Sequence, residues 1–224
     1  MQPTRSALVP LLLVLLCAPA VAAAPKVHSV TLGPARKATY TPPGSTTEIP
    51  LKLRTLVVDG RQKEWVAGDL HDVTDRSFAI RRVLRVNDAL ATEPPRWIWQ
   101  PGPWLLVDRT TGHITPLHLP DFDAALSDVS WFRDYAAYCG IATTAKGGLY
   151  AVVTQLGVRK PIVAKQISRS PAPENHDPIC APADWQRKPL AVTLHPTGQP
   201  AMTFEVIGST SALIEEADNS DDPN

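Results

Sequence analysis

The chain has 224 residues, with Lys+Arg and Asp+Glu both at 22 and a formal net charge of +0 at pH 7. That balance leaves no basic excess to hold a nucleic acid or an anionic membrane surface, so neither is expected as a partner. The 23 prolines and 12 glycines interrupt the chain too often for long helices and point to short elements joined by turns.

Residues 1–22 read as a cleavable secretory signal peptide. Arg5 supplies a positive start, residues 7–17 (ALVPLLLVLLC) form an apolar stretch, and Ala20-Val21-Ala22 provides small residues for the cleavage site. An apolar run of about 11 residues falls short of the roughly 20 that span a bilayer as a helix. A lipid anchor on Cys17 would call for a small residue before it, and Leu16 stands there. No later apolar stretch is long enough to span. The expectation is a mature chain of roughly 200 residues, periplasmic or secreted, with no membrane span after cleavage. Cys17 would leave with the signal, so the mature chain keeps Cys139 and Cys180. In an oxidising compartment such a pair reads as a disulfide; the alternative is two separately buried thiols.

The segment 23–48 is rich in Pro, Ser and Thr and reads as an N-terminal arm, with Pro42-Pro43-Gly44 as a turn. Regular structure is expected from residue 49 onward, in a β domain running to 214. Ile49, Leu51, Leu53 and Thr55 alternate with polar or proline positions, the period of a half-buried strand. Asp59-Gly60 is a hairpin signal, with 63–67 as the returning strand. Residues 77–86 form another strand, in which Phe78, Ile80, Leu84 and Val86 share a parity that Arg82 interrupts. Glu93-Pro94-Pro95 breaks the chain. Residues 104–107 and 113–119 flank a polar turn at 108–112; Pro116 demotes the second arm to an edge or bulged strand. A short helical turn is expected over 120–126. Strands over 129–132, 136–141, 149–156 and 161–167 form an antiparallel meander. A last hairpin pairs 190–194 with 202–207. The acidic stretch 215–224 reads as a disordered tail.

Two of these segments resemble β-propeller blades. WLLVDRTTGHITPL (104–117) is similar to a blade hairpin. DVSWFRDYAAYCGI (128–141) is similar to the strand, WSPDG-type turn, strand unit of exported propeller proteins, departing from it at Phe132, Arg133 and Tyr135. The blade-like part covers 97–167. A full propeller needs about four or more blades recurring every 40–45 residues, and this unit occurs once. The expected fold is therefore mainly β: antiparallel meanders of short strands, in partial propeller-like sheets or a β-sandwich, not a complete propeller. The whole chain also resembles a group of exported bacterial proteins of unassigned function. The residues concerned are Trp104 to Asp108, Arg133 to Cys139, and Cys180 with Pro182, Trp185, Gln186 and Arg187. That resemblance implies a fold and a compartment and no activity.

Serine-nucleophile signatures and Gly-rich phosphate loops are absent, so the sequence assigns no catalytic residue and no cofactor. His113 and His118 lie five apart on an extended arm and should face opposite sides, so no metal site is assigned. The densest polar cluster holds Asp69, His71 and Asp72. It offers acid–base chemistry or a cation site, against the plainer reading of a solvated turn. Cys139 with His176 would make a thiolate–imidazolium pair only if Cys180 left Cys139 free. Trp97 and Trp99 share one face of a strand, with Trp104 following a turn at Pro101-Gly102-Pro103, and they offer an aromatic platform, against ordinary core packing. The sequence points first to a non-catalytic binding or interaction module that engages a protein or a glycan through a sheet face or loop cluster. The alternative is an extracytoplasmic hydrolase in which carboxylates such as Asp69, Asp72, Asp121 and Asp123 meet about 5–10 Å apart across a cleft to cut glycosides.

Overall fold

The computed structural model describes residues 27–42, 46–142, 147–169 and 179–206. The signal segment, Cys17, His176 and the acidic tail lie outside the described residues. Within them the protein is all β, with no helix.

Three antiparallel sheets form, none of them closed or propeller-shaped. The first contains β1 (Val30–Leu32), β2 (Arg36–Tyr40), β3 (Ile49–Val58), β4 (Arg61–Thr74), β5 (Ser77–Asn87), β6 (Trp97–Asp108) and β7 (Ile114–Pro116). Its order is β1-β3-β4-β5-β6-β7, with β2 also paired to β3. The second is the expected meander of β8 (Ser130–Phe132), β9 (Tyr135–Ile141), β10 (Leu149–Gln155) and β11 (Val163–Ser168). The third contains β12 (Cys180–Gln186), β13 (Ala191–Pro196) and β14 (Met202–Glu205).

Local chemistry accounts for many of the turns. Asp59 and Gly60 have φ of 52° and 74°, the two positive values that a type I′ hairpin needs between twisted strands. Pro116 lies in the terminal strand β7, where its missing N–H costs no ladder bond. Arg133, with φ of 52°, takes a left-handed turn position between β8 and β9 that glycine would fill without strain.

The structure differs from the sequence reading in five places. Residues 30–40, expected as an arm, supply β1 and β2; both pair with β3, and Tyr40 is buried against the sheet. Their brevity and their charged residues hid them. Pro101-Gly102-Pro103, expected as a turn, lies inside β6. The prolines sit beside a register shift between Arg81 and Val83, where the ladder is already broken. Residues 68–74, expected as a turn, belong to β4, which is bulged between Ala67 and His71. β12 had no clear alternation and was missed. Residues 120–126 form turns and no helix.

Packing explains how the sheets come together. The first sheet coils on itself, as twisted sheets do. Val30 and Leu32 of β1 and Ile114 of β7 pack on one cluster of Leu56, Val66, Phe78, Ile80, Leu105 and Val107. The strands at opposite ends of the order are thus brought together, and the His28 N–H donates to Thr110 O at 3.1 Å. The other face of β5 and β6 offers Ala79 and Trp104 to Ala136, Tyr138 and Val152 of the second sheet and to Val129 just before β8. The second and third sheets share the largest core, built on Tyr135, Cys139, Val153, Val192 and Leu194. A disulfide between Cys139 and Cys180 ties β9 to β12 across 41 residues of sequence. By loop-closure entropy this link stabilises the fold by about 4 kcal/mol.

Candidate ligand cleft

A cleft of about 960 Å³ opens between the coiled first sheet on one side and the 124–128 segment and the start of β12 on the other. Its sheet wall carries a row of Ala67 of β4, Arg81 of β5 and Trp104 of β6, with Leu51 of β3 and Tyr40 of β2 beside it. The opposite wall comes from Ala124 to Asp128 and from Cys180 to Pro182.

The second wall is held by close backbone packing. A Cβ on Gly140 of β9 would collide with the Asp121 carbonyl oxygen, so glycine lets the 120–128 segment lie against β9. Ile141 N–H then donates to Asp121 O at 2.7 Å, and Tyr138 Oη donates to Pro120 O at 2.6 Å. The Asp123 carboxylate accepts N–H bonds from Ala125 at 2.8 Å and Leu126 at 3.0 Å, which rounds the segment into a compact turn.

Arg81 is the unusual group in this cleft. It sits at the break in the β5–β6 ladder, the kind of irregularity that re-aims a side chain. Nη2 donates to Ala124 O at 2.6 Å, and the guanidinium lies over Phe122 at 4.7 Å and Trp104 at 5.8 Å. No carboxylate among the described residues reaches ion-pair distance of it. Burial pulls its pKa down to about 10, opposed by the more distant charges of Asp128 and Asp123. The Tyr40 hydroxyl is pushed up, chiefly by burial and then by Asp123, while Arg81 pulls it down. Arg81 Nε, Tyr40 Oη and Trp104 Nε1 are all buried without a hydrogen-bond partner, three of the six such side-chain atoms among the described residues. Unpaired buried polar atoms are costly, so three on the residues of one cleft call for an explanation.

The residues singled out from sequence fall around this cleft and elsewhere. Asp69 lies on its rim and pairs with Lys52 at 3.0 Å; that hydrogen bond holds its carboxyl below the usual range. Asp72 pairs with Arg109 at 2.5 Å. His71 is a fastener between sheets: Nε2 donates to Arg133 O at 2.6 Å while the ring stacks on Trp131 at 5.4 Å. Asp69, His71 and Asp72 therefore each have a different partner. Asp121 contributes its backbone to the second wall and Asp123 its turn-capping carboxylate. No cluster of three or more His, Cys, Asp or Glu among the described residues could hold a metal ion. Cys139 is bonded to Cys180, which leaves no thiolate.

Trp97 and Trp99 lie on one face of β6, as the period of two requires. Trp97 is 55% exposed with the Arg85 guanidinium over its ring at 5.2 Å, and Trp99 packs on Trp65 at 5.2 Å. The platform is thus a stack of Trp and Arg in which Arg85 already covers one face of Trp97.

Sequence reading missed Tyr40, Arg81 and Trp104 as a group. One signal was present: Arg81 and Arg82 are adjacent in a strand, so their side chains point to opposite faces. Arg82 pairs with Glu64 at 3.0 Å, and Arg81 is the one left facing the cleft.

No family model matches this chain, and no curated protein or solved structure matches it either. Its function must be argued from the site.

Proposed function

We propose that this protein is an exported, non-catalytic binding module that takes a largely apolar ligand into the cleft between its sheets. The observation that carries this reading is the cleft itself. Its volume of about 960 Å³ falls within the roughly 300–1,000 Å³ of small-molecule sites, and such sites pair apolar walls with a few fixed polar groups. Tyr40, Pro42, Ile49, Leu51, Trp104 and Leu126 supply the walls.

The carboxylates speak for binding over hydrolysis. Asp69 and Asp72 are held by separate basic partners, and Asp123 is engaged by backbone N–H groups. The signal-like start and the disulfide support export, since disulfides persist in oxidising compartments.

A thermal-shift panel on the mature protein tests the reading. It should include medium-chain acids and alcohols, aromatic compounds, glycans and metals. A ligand at 100 times its Kd adds about 2.7 kcal/mol of stability, a rise in Tm of roughly 5–10 °C for a domain of this size. A response to apolar compounds that disappears when Ala125→Trp fills the cleft is the expected result. A response to glycans alone, lost in Trp97→Ala, would move the site to the Trp97 face. No response to any member would sink the binding reading.

A further inference from the structure

We propose that the ligand carries a carboxylate or an equivalent oxyanion on its apolar body and that Arg81 receives it. This inference rests on the binding reading and deepens it. Three side chains that line the cleft hold donor atoms that find no acceptor in the protein: Arg81 Nε, Trp104 Nε1 and the Tyr40 hydroxyl. Those atoms are enclosed, so the group offered to a ligand is the rest of the Arg81 guanidinium at the cleft wall. It is a half-buried cation whose hydrogen-bond acceptor, among the described residues, is the neutral carbonyl of Ala124. A guanidinium taken partly out of water without an ion pair pays a desolvation cost that one carbonyl bond does not offset. An oxyanion against it would form a charge-assisted bond in a poorly hydrated setting.

The surrounding charges define what else the ligand needs. Asp123 and Asp128 act on Arg81 from a distance, and Asp69 is paired with Lys52 at the rim. The charged residues lining the cleft are Lys52 and Arg81 against Asp69 and Asp128, so their formal charges cancel. Long-range attraction will not draw in a small anion. The apolar body must supply the affinity and Arg81 the selection. A long-chain or aromatic acid fits this description, and acetate does not.

The test is calorimetric titration of the mature, disulfide-bonded protein with decanoate, 1-decanol and acetate. Decanoate is expected to bind at least about tenfold more tightly than decanol, since a hydrogen bond to a charged group is worth about 1.5–3 kcal/mol, and acetate not at all. Arg81→Met should abolish the preference by bringing decanoate to the level of decanol. Should that variant not fold, Arg81→Lys decides. It keeps the charge but loses the planar fork that matches a carboxylate, so it should weaken decanoate several-fold while leaving decanol unchanged. Equal binding of acid and alcohol, or an undiminished preference in the folded variants, overturns the acid assignment and leaves the cleft reading standing. Binding of neither probe, with a shift from a neutral member of the panel, also overturns the assignment alone. No binding of any compound overturns both.

Discussion

Tyr138 and Tyr40 are both buried, 1% and 3% exposed, yet their hydroxyls meet different surroundings. Tyr138 lies in the seam between the first two sheets, donates to Pro120 O at 2.6 Å and meets Phe122 edge-on at 5.5 Å. Tyr40 lies on the cleft wall and its hydroxyl has no partner. The contrast extends beyond the two side chains. At the neighbouring junction of the second and third sheets, Ser130 Oγ accepts the Ala183 N–H at 2.7 Å, Ser130 O accepts from Trp185 Nε1 at 3.2 Å, and the disulfide links β9 to β12. Around the cleft, the half-buried Arg81 guanidinium has no ion pair among the described residues. At the junctions the unpartnered Trp131 Nε1 stands beside well-paired groups. Under the proposed binding function, the cleft gives up stability that a bound molecule would restore.

Removal of the disulfide gives the largest effect. Cys139→Ala/Cys180→Ala should lose about 4 kcal/mol in chemical denaturation; a loss below about 1 kcal/mol would mean the junction of the second and third sheets is held by packing alone. Tyr138→Phe comes next. It strips Pro120 O of its donor and should cost about 1–2 kcal/mol. The same change at Tyr40 should have the opposite sign: removing an unpartnered buried hydroxyl should leave stability unchanged or raise it by up to about 1 kcal/mol. Equal losses from the two Tyr→Phe variants would erase the contrast on which the cleft reading stands.

The smallest effect probes the exposed turn between β6 and β7. The Asp108 carboxylate accepts N–H bonds from Thr111 and Thr110, each at 2.8 Å, and one from Arg76 at 3.1 Å. Led by the Thr111 N–H, these hold its carboxyl below the ordinary 3.8. Because the folded pKa lies below the unfolded one, the unfolded state binds more protons between the two values. Its contribution is full above the unfolded pKa and is lost as pH falls through the folded pKa. Asp108→Asn should therefore be slightly less stable than wild type at neutral pH, with the gap closing below pH 3.8. A gap that persists undiminished at pH 2 would show that the carboxylate's charge is not what the turn uses.

Much of the fold was legible because its signals are local. Asp59-Gly60 carries its own hairpin geometry. The meander of β8 to β11 follows from short apolar runs with polar links, and Pro116 marks its strand as an edge. The misreadings share one cause. Pro101 and Pro103 read as a turn because a proline costs a regular ladder a bond; only the partner strand, with its register shift at Arg81, makes room for them inside β6. β1 and β2 could not be seen because short strands have no periodicity to detect, and they exist by virtue of the edge of β3. His71 looked like chemistry until the Arg133 carbonyl, 62 residues away, was found on its Nε2.

The sequence by itself determined the all-β class and much of the succession of strands and turns, and it offered Cys139 and Cys180 as the simplest pairing. Alternation, turn residues and cysteine positions are properties of neighbours along the chain or of composition. Tertiary structure alone decided that the first sheet coils on itself, that Gly140 draws the 120–128 segment against β9, and that a cleft opens between them with Arg81 on its wall. Two adjacent arginines can be read anywhere in a strand. Which of them finds a carboxylate and which faces the cleft without one depends on bulges and on packing between residues far apart in sequence.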